Sequence, residues 1–386
     1  MAGPAADREL SRAVAVPPRG DLREARTTFR VATISDDVAI RQLLRETPMQ
    51  GAIRITFERE PDCFRGADVA GGEERTIVAY EMERLVCMGR CIRRDAWLNG
   101  AVRSVGYLGE LRLDESARGR FGILRDGYRF FHALERETRA DLYFTSIAAD
   151  NERARRLLER GARGLPAYTG LSELDTLLVS IPRGARKAKL CVENATPERI
   201  PDMLRVLNAP LHQLAAVWTA DRLRALERHG LPLDRFLLVR DGNDIVACGA
   251  LWDQRSFRQT VIRGYSRPFA VVRPFVNLAR RAFGTPHLPR VGSALAHVFL
   301  SPLGFVDGAE GMLSDFVEAA VPFAARCGAE FLTLALPATD PRLAGLRRRF
   351  STRTWRSRLY RVDWRGERKF QFAGNGAPFL PDVALL

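Results

Sequence analysis

The chain has 386 residues, enough for two domains of ordinary size, and its 46% apolar and 27% charged residues are those of a soluble globular protein. The formal net charge of +14 comes almost entirely from arginine, since the only lysines are Lys187, Lys189 and Lys369. This usage is typical of a GC-rich bacterial genome, and its second interpretation is attraction for an anionic partner. No run approaches the ~20 apolar residues that span a membrane, and no arginine run is interleaved with aromatics. Neither a membrane nor a nucleic acid is therefore expected as a partner.

The ends of the chain and its cysteines favour a cytoplasmic protein. Residues 1–28 have mixed charges and prolines but no apolar signal-peptide core, so we interpret them as a flexible tail. The six cysteines are scattered, and no second Cys or His pair complements Cys87 and Cys91, so no metal site is predicted. The sequence leaves the oligomeric state open.

Apolar periodicity over residues 29–182 predicts alternating strands and helices. The predicted strands are 29–33, 53–57, 76–80, 85–92, 107–113, 142–147 and 171–181. The predicted helices follow Ser35, run over about 123–138, and follow Asn151. The middle helix carries one apolar stripe, formed by Leu124, Tyr128, Phe131 and Leu134.

A similar pattern returns over residues 187–365, beyond a predicted boundary at 182–184. The predicted strands there are 189–192, 236–239, 245–252, 296–300 and 331–336, with helices at 196–207, 219–229 and 312–326. Residues 144–158 align with residues 332–346, which indicates an internal duplication. The proline- and arginine-rich residues 267–294 interrupt the second copy as an insertion, and residues 366–386 are predicted to form a C-terminal tail.

The most informative stretch is GELRLDESARGRFG, residues 109–122. It predicts a strand, then a glycine- and arginine-rich loop that opens a helix. Such a loop presents backbone N–H groups to phosphates, and the helix dipole adds partial positive charge there. The sequence therefore predicts a phosphorylated, nucleotide-like ligand, with coenzyme A as the leading candidate.

Two stretches, LGELRLDESARGRFGIL and DNERARRLLERG, resemble the GNAT N-acetyltransferase superfamily. GNAT proteins usually carry Leu-x-Val-x-Pro-x-x-Arg-Gly-x-Gly-x-Gly/Ala in the first stretch, and the second has the form Asn-x-x-Ala-x-x-Leu. In this sequence the first stretch has Leu111, Leu113, Glu115, Arg118 and Gly119 at those positions, with Leu113 in place of Val and Glu115 in place of Pro, and the second matches at Asn151, Ala154 and Leu157. Phe121 and Ile123 stand where glycines are expected, and Gly122 lies one residue out of register.

The resemblance implies an α/β (α+β) fold of two GNAT-like domains, at 29–182 and 187–365. Each would have a mixed, mostly antiparallel sheet flanked by helices, with the second copy degenerate. FVDGAEG, residues 305–311, stands before the helix of the second copy and carries Asp307 and Glu310 where phosphate needs positive charge. The second copy is therefore expected to bind no coenzyme A and to shape the acceptor site.

The resemblance also implies a cofactor site in the first domain. The loop before the helix would hold the coenzyme A pyrophosphate through backbone N–H groups, the preceding strand would pair with the pantetheine amides, and Asn151 would face the pantetheine arm or a water. The implied cofactor-binding residues are Leu111, Arg112, Leu113, Arg118, Gly119, Arg120, Phe121, Gly122, Ile123 and Asn151. The alternatives are a plain glycine-rich turn with solvated arginines and, for Asn151, a helix N-cap.

Direct attack of an amine on the thioester needs a base, and many GNAT enzymes keep a glutamate at the position of Glu110. Acting through a water, Glu110 is the candidate catalytic residue; the alternative is a solvated carboxylate or a partner of Arg112. The usual acid is a tyrosine where this chain has Leu158, so Tyr107, Tyr143 and Tyr168 are the remaining candidates.

The function implied is an acyl-CoA-dependent N-acyltransferase, transferring acetyl from acetyl-CoA to a small-molecule or peptide amine. A Fem-type aminoacyl-tRNA-dependent transferase would also have two GNAT-like halves and would explain the basic charge. A third interpretation is a non-catalytic module that binds coenzyme A or a partner. The sequence does not select the acceptor.

Overall fold

The computed structural model describes residues 27–182, 188–209, 212–282, 288–374 and 376–386. The strands of this part of the chain are Thr27–Val31 (β1), Ile53–Glu58 (β2), Glu73–Glu81 (β3), Arg84–Leu98 (β4), Ala101–Leu113 (β5), Leu142–Ala148 (β6), Ala167–Ser180 (β7), Glu193–Asn194 (β8), Phe236–Asp241 (β9), Asp244–Trp252 (β10), Gln259–Tyr265 (β11), His297–Phe305 (β12), Phe331–Pro337 (β13) and Thr352–Asp363 (β14). The α-helices are Asp37–Glu46 (α1), Phe121–Leu134 (α2), Glu152–Glu159 (α3), Ile200–Leu207 (α4), Ala220–Ala225 (α5), Arg267–Ala282 (α6), Leu313–Arg326 (α7) and Arg342–Arg349 (α8).

In the first half, β1, β3, β4 and β5 form an antiparallel run, and β6 joins β5 in parallel. Helix α1 buries Ile40, Leu43 and Leu44 as its apolar spacing predicts. Helix α2 buries the Leu124 and Phe131 side chains of its predicted stripe. The parallel β5–α2–β6 crossover places the start of α2 beside the ends of both strands.

The element order of the first half returns in the second. Strands β8, β9, β10 and β12 are antiparallel neighbours, and β13 joins β12 in parallel across helix α7. Helices α4, α7 and α8 follow their strands as α1, α2 and α3 do in the first half. The two halves therefore share one order of strands and helices, and the duplication stays a prediction.

Each half gives its last strand to the other, so the two sets of strands form one sheet. The twelve-stranded order is β1-β3-β4-β5-β6-β14-β7-β13-β12-β10-β9-β8, with a separate two-stranded pair, β11-β2. Strand β14 lies between β6 and β7, and β7 pairs with β13. On β7, the fully buried Asp175 accepts hydrogen bonds from Arg347 at 2.6 Å and Arg356 at 2.7 Å. The halves are joined by backbone pairing and by this buried carboxylate.

Several predicted segments need correction. Residues 1–26 and 183–187 lie outside the described residues, but the first strand starts at Thr27, inside the predicted tail. The strand predicted at 189–192 is wrong, since the pairing segment is Glu193–Asn194. The predicted insertion contains helix α6, Arg267–Ala282.

Residues 366–386 are not a free tail. Ala384 and Leu385 are 1% and 3% exposed. The Arg94 guanidinium donates to the Leu385 carbonyl at 2.9 Å. The described residues of this segment pack onto both halves. Among the described helices, none combines the length and apolar character needed to cross a membrane.

Candidate active site

Strands β5 and β6 separate part-way along their length. Their parallel pairing runs from Val105–Leu142 to Tyr107–Phe144. The last link is the Thr145 hydroxyl, which donates to the Leu108 carbonyl at 2.5 Å. Beyond that point the strands diverge, and their facing edges border an opening.

A β-bulge lies at the mouth of this opening. Arg90 pairs with Gly109, but Met88 pairs with Arg112, so β5 carries one extra residue there. Glu110 has a φ of +51°, a left-handed conformation that is rare for a glutamate. The bulge interrupts the ladder with β4 and turns Glu110 toward the interior.

The opening leads into a cavity of about 870 Å³ that both halves of the chain line. From the first half, helices α2 and α3 contribute Gly127, Tyr128 and Ala154. Residues from the second half include Phe257 and Arg258. A ligand entering beside α2 therefore meets a chamber whose far wall is built by the second half.

The predicted glycine–arginine loop lies at the start of α2. Asp114 accepts a hydrogen bond from the Ser116 N–H at 2.9 Å and opens a short 3₁₀ turn, after which Gly119 adopts a φ of +89°. Arg118 and Gly119 are exposed. Arg120 donates to the Glu81 carboxylate at 2.6 and 2.8 Å. The loop thus presents one exposed arginine and an open glycine at a helix N-terminus.

The other predicted cofactor residues have mixed surroundings. Phe121 packs against the apolar cluster of Leu124, Leu158 and Leu165, away from the loop. Gly122 has open space around it, since the Arg125 guanidinium would lie 4.0 Å from a Cβ atom at this position. Leu113 and Ile123 pack into the core beside α2, whereas Leu111 is 36% exposed.

Asn151 caps helix α3 and also borders the cavity. Its side-chain oxygen accepts from the Ala154 N–H at 3.2 Å, as a helix N-cap does. It also lines the cavity. The N-cap alternative is confirmed, and it fixes the Asn151 side chain at the cavity wall.

Glu110 is enclosed by two arginines that no sequence motif indicates. Its Oε1 accepts from Arg59 Nε and Nη2 at 2.9 and 2.8 Å, and its Oε2 lies 3.0 Å from Arg90 Nε. Burial alone would raise the pKa of Glu110, but Arg59 and Arg90 hold it well below its usual range. Arg59 lies 51 residues before Glu110, so no local sequence pattern links them.

The candidate acids separate by position. Tyr107 and Tyr168 line the cavity, whereas the Tyr143 hydroxyl donates to the buried Glu135 at 2.8 Å and is absent from the cavity wall. Tyr128, predicted only as a core residue, shares a hydrogen bond with Tyr168. Burial raises the pKa of Tyr128 to about 12 and that of Tyr168 well above its usual value.

The second half has a matching opening between β12 and β13. Their pairing ends at Phe299–Thr333, and β12 carries an extra residue between Leu300 and Leu303. The cavity there measures only about 100 Å³. It is lined by Glu310 and Asp382, and Asp382 accepts a hydrogen bond from Ser301.

His297, which begins β12, is a buried histidine with a hydrogen-bond partner. Its Nδ1 lies 2.9 Å from the Thr333 hydroxyl, and burial lowers its pKa to about 4. The ring is therefore neutral near pH 7, although it borders the large cavity.

No protein-family model matches this sequence. No curated protein matches it.

Solved structures do resemble it. A GCN5-related N-acetyltransferase from Sphaerobacter thermophilus has a TM-score of 0.53 and 12% identity, over 90% of this chain and 98% of that one. Saccharomyces cerevisiae N-myristoyltransferase with bound myristoyl-CoA has a TM-score of 0.57 and 10% identity, over 92% and 85%. The glucosamine N-acetyltransferase region of a fungal multi-domain β-N-acetylglucosaminidase has a TM-score of 0.56 and 13% identity, over 90% and 39%. The chain has the GNAT fold, a mixed α/β architecture built on a large, mostly antiparallel sheet.

Proposed function

We propose that this GNAT-fold chain is an acyl-CoA-dependent N-acyltransferase that moves an acetyl group from acetyl-CoA to a small-molecule or peptide amine. The observation that carries the proposal is the opening between β5 and β6. It joins the exposed loop at the start of α2 to a cavity of about 870 Å³ that contains a buried carboxylate. Folds alone do not define substrates, so the proposal depends on this site.

The cofactor would enter from the helix side. Backbone N–H groups at the start of α2, with Arg118 beside them, suit the pyrophosphate of coenzyme A. The unpaired edges of β5 and β6 suit the amides of the pantetheine arm, as an added strand would. Leu111, Arg112, Leu113, Gly119, Arg120, Phe121, Gly122 and Ile123 then act mainly through their backbone, with Asn151 at the cavity wall.

Arg120 requires one adjustment under this proposal. It is bound to Glu81 by two hydrogen bonds, so a contact with phosphate would compete with that pair. Arg118 is exposed, and no carboxylate of the described residues lies within ion-pair distance of it. We therefore assign the larger cofactor contribution to Arg118.

In the reaction, the amine nitrogen bonds to the thioester carbon, and the C–S bond breaks to release coenzyme A thiolate. The nitrogen loses a proton and the thiolate gains one. Glu110 is the candidate acceptor of the first proton, through a water, because it lines the cavity at the bulge beside the opening, where its Oε2 lies 3.0 Å from Arg90 Nε. Its low pKa keeps the carboxylate ionised, so that it can accept a proton, although the same low pKa makes Glu110 a weak base.

The proton for the thiolate would come from the Tyr128–Tyr168 pair. The two hydroxyl groups share a hydrogen bond at the cavity wall, beside Leu158. The bond from Tyr168 stabilises the phenolate that Tyr128 would become. The pair would thus serve as the general acid, a role that many GNAT enzymes give to a tyrosine at the position of Leu158.

The proposal is tested by calorimetric titration of the full chain with acetyl-CoA, for wild type, Arg118→Ala and Arg136→Ala. Arg136 is exposed just beyond the other end of α2 and is the matched control. We expect one site per chain, affinity about tenfold weaker in Arg118→Ala, and no change in Arg136→Ala.

A folded wild-type chain that does not bind acetyl-CoA would contradict the proposal. The aminoacyl-tRNA-dependent transferase and the non-catalytic module would then become the leading hypotheses. Equal weakening by both substitutions would contradict the placement of the phosphates at the start of α2.

A further inference from the structure

Four arginines line one wall of the large cavity beyond the Glu110 bulge. This arginine lobe consists of Arg59, Arg90, Arg112 and Arg258, together with the carboxylates Glu74 and Glu110. Arg59 and Arg90 are only 6% and 4% exposed. Arginine stays protonated in proteins, so each guanidinium carries its full charge.

The two carboxylates of the lobe are already engaged. Glu110 is shared by Arg59 and Arg90, and Glu74 forms an ion pair with Arg90. Among the described residues, no side-chain carboxylate lies within ion-pair distance of Arg112 or Arg258. The side chains of the lobe therefore hold an excess of positive charge.

The remaining guanidinium contacts are weak or incomplete. Arg112 donates to the Leu111 carbonyl at 3.1 Å, and its Nε is buried with no hydrogen-bond partner in the described chain. Arg90 Nε is also buried without a hydrogen bond. Arg258 donates to the main-chain oxygens of Ala384 and Leu386. Even with the Leu386 oxygen counted as part of a carboxylate, the charge on Arg112 stays unbalanced.

Other charged groups near the lobe do not balance it. Arg263 pairs with Glu58, and Arg255 pairs with Asp253. His297 is neutral near pH 7. Burial lowers the pKa of Arg258 to about 10, which still leaves it charged at physiological pH.

Buried charge is costly unless it is paired, so an uncompensated lobe favours an anion. We propose that the acceptor amine carries a carboxylate or phosphate group, which the arginine lobe binds. This inference rests on the proposed function for the reaction, and it names the class of acceptor. Arg112, supported by Arg258, binds the anion, while Glu110 faces the amine end.

The test is calorimetric titration of the full chain, saturated with coenzyme A, with two matched pairs of amines. The pairs are phenylalanine with 2-phenylethylamine, and phosphoethanolamine with ethanolamine. In at least one pair, we expect the amine with the carboxylate or phosphate to bind at least about tenfold more tightly than the amine without it. The reason is that charge-assisted hydrogen bonds are stronger than neutral ones.

Arg112→Met is the main variant, because Arg112 has no carboxylate partner that its loss would leave buried and unpaired. Arg103→Met is its control, on the same strand and exposed. We expect Arg112→Met to reduce the preference for the acid several-fold, and Arg103→Met to keep it. Arg258→Met is the second variant, with its fold checked by thermal melting.

Equal binding within both pairs, or no binding by either acid, overturns the inference. A preference that survives both Arg112→Met and Arg258→Met also overturns it. If the acids bind through Arg112 but acetyl-CoA does not bind in its own titration, the anion site stands and the proposed function fails.

Discussion

Two openings between parallel strands, one in each half, have the same backbone plan and different contents. Both follow a short parallel pairing, at Tyr107–Phe144 and at Phe299–Thr333, and both have a bulge beside them. The first opens into about 870 Å³ and the second into about 100 Å³. The arginine–glycine loop between β5 and α2 lies beside the first opening, whereas Glu310 and Asp382 line the second.

The same backbone arrangement therefore produces an opening, or slot, in each half. The side chains and the C-terminal segment that line each opening determine whether it leads to a cavity large enough for a ligand. In the second half, residues 380–383 occupy the wall of the slot, and Asp382 is bonded to Ser301. In the first half, that same segment continues to Leu385 and Leu386, which line the large cavity. The closing of one slot and the completion of the other come from one stretch of chain.

The largest expected effect comes from filling the slot of the first half, compared with the same substitution on a helix of the second half. Ala154, the third residue of α3, lines the large cavity, whereas Ala344, the third residue of α8, is exposed. We expect Ala154→Trp to weaken acetyl-CoA binding at least about a hundredfold, because the indole blocks the path between α2 and α3. Ala344→Trp leaves it unchanged, as measured by calorimetry. Similar losses in the two variants would break the comparison.

The next effect concerns proton transfer, which only the first opening would support. Tyr168→Phe removes one hydroxyl of the Tyr128–Tyr168 pair. We expect kcat to fall about 10- to 100-fold with the KM for acetyl-CoA unchanged, measured by thiol release. Tyr80→Phe is the control, since the Tyr80 hydroxyl donates to Asp36 at 2.8 Å, outside the cavity. An unchanged kcat in Tyr168→Phe would show that the Tyr168 hydroxyl takes no part in protonating the thiolate.

The smallest effect concerns the junction between the two halves. Burial would raise the pKa of Asp175, but Arg356 and Arg347 lower it below its usual value. A carboxyl with a lowered folded-state pKa adds stability above its unfolded pKa of about 4, and that stability is lost as pH falls below it. The two arginines are 47% and 40% exposed, which reduces the contribution.

We therefore expect Asp175→Asn to lower the free energy of unfolding by about 1–3 kcal/mol at pH 7. The loss should shrink as pH falls below about 4, and it should approach zero once the pH is below the lowered pKa of the folded-state carboxyl. Thermal melts of both proteins between pH 3 and pH 7 measure it. A difference that stays constant with pH would show that Asp175 acts by packing instead of charge.

Local patterns predicted the local parts of this molecule. The stripe on α2, the capped start of α3 at Asn151, and the strand–loop–helix unit around Gly119 all depend on neighbours within a few residues. Those patterns were enough to indicate the fold and the location of the candidate site. They also showed that acidic residues, Asp307 and Glu310, stand before helix α7 of the second half.

The parts that escaped prediction depend on contacts between distant residues. Arg59 reaches Glu110 because β2 pairs with β11, about two hundred residues further along the chain. Arg258 reaches the same wall from the second half. No local pattern indicates the exchange of β7 and β14, because it depends on which strand edges of the other half are unpaired. No local pattern indicates the placement of the C-terminal segment either.

The exchange of β7 and β14 has a consequence for how the chain is made. Strand β6, one border of the candidate site, pairs along its other edge only with β14, Thr352–Asp363. During synthesis on the ribosome, about two hundred residues must therefore be added after β6 before β14 exists and can pair with it. Closing such long loops is entropically costly and slow, so a nascent first half carries an unpaired edge in the meantime. Neither half is then a module that evolution or an engineer can detach intact, because each lends the other its last strand.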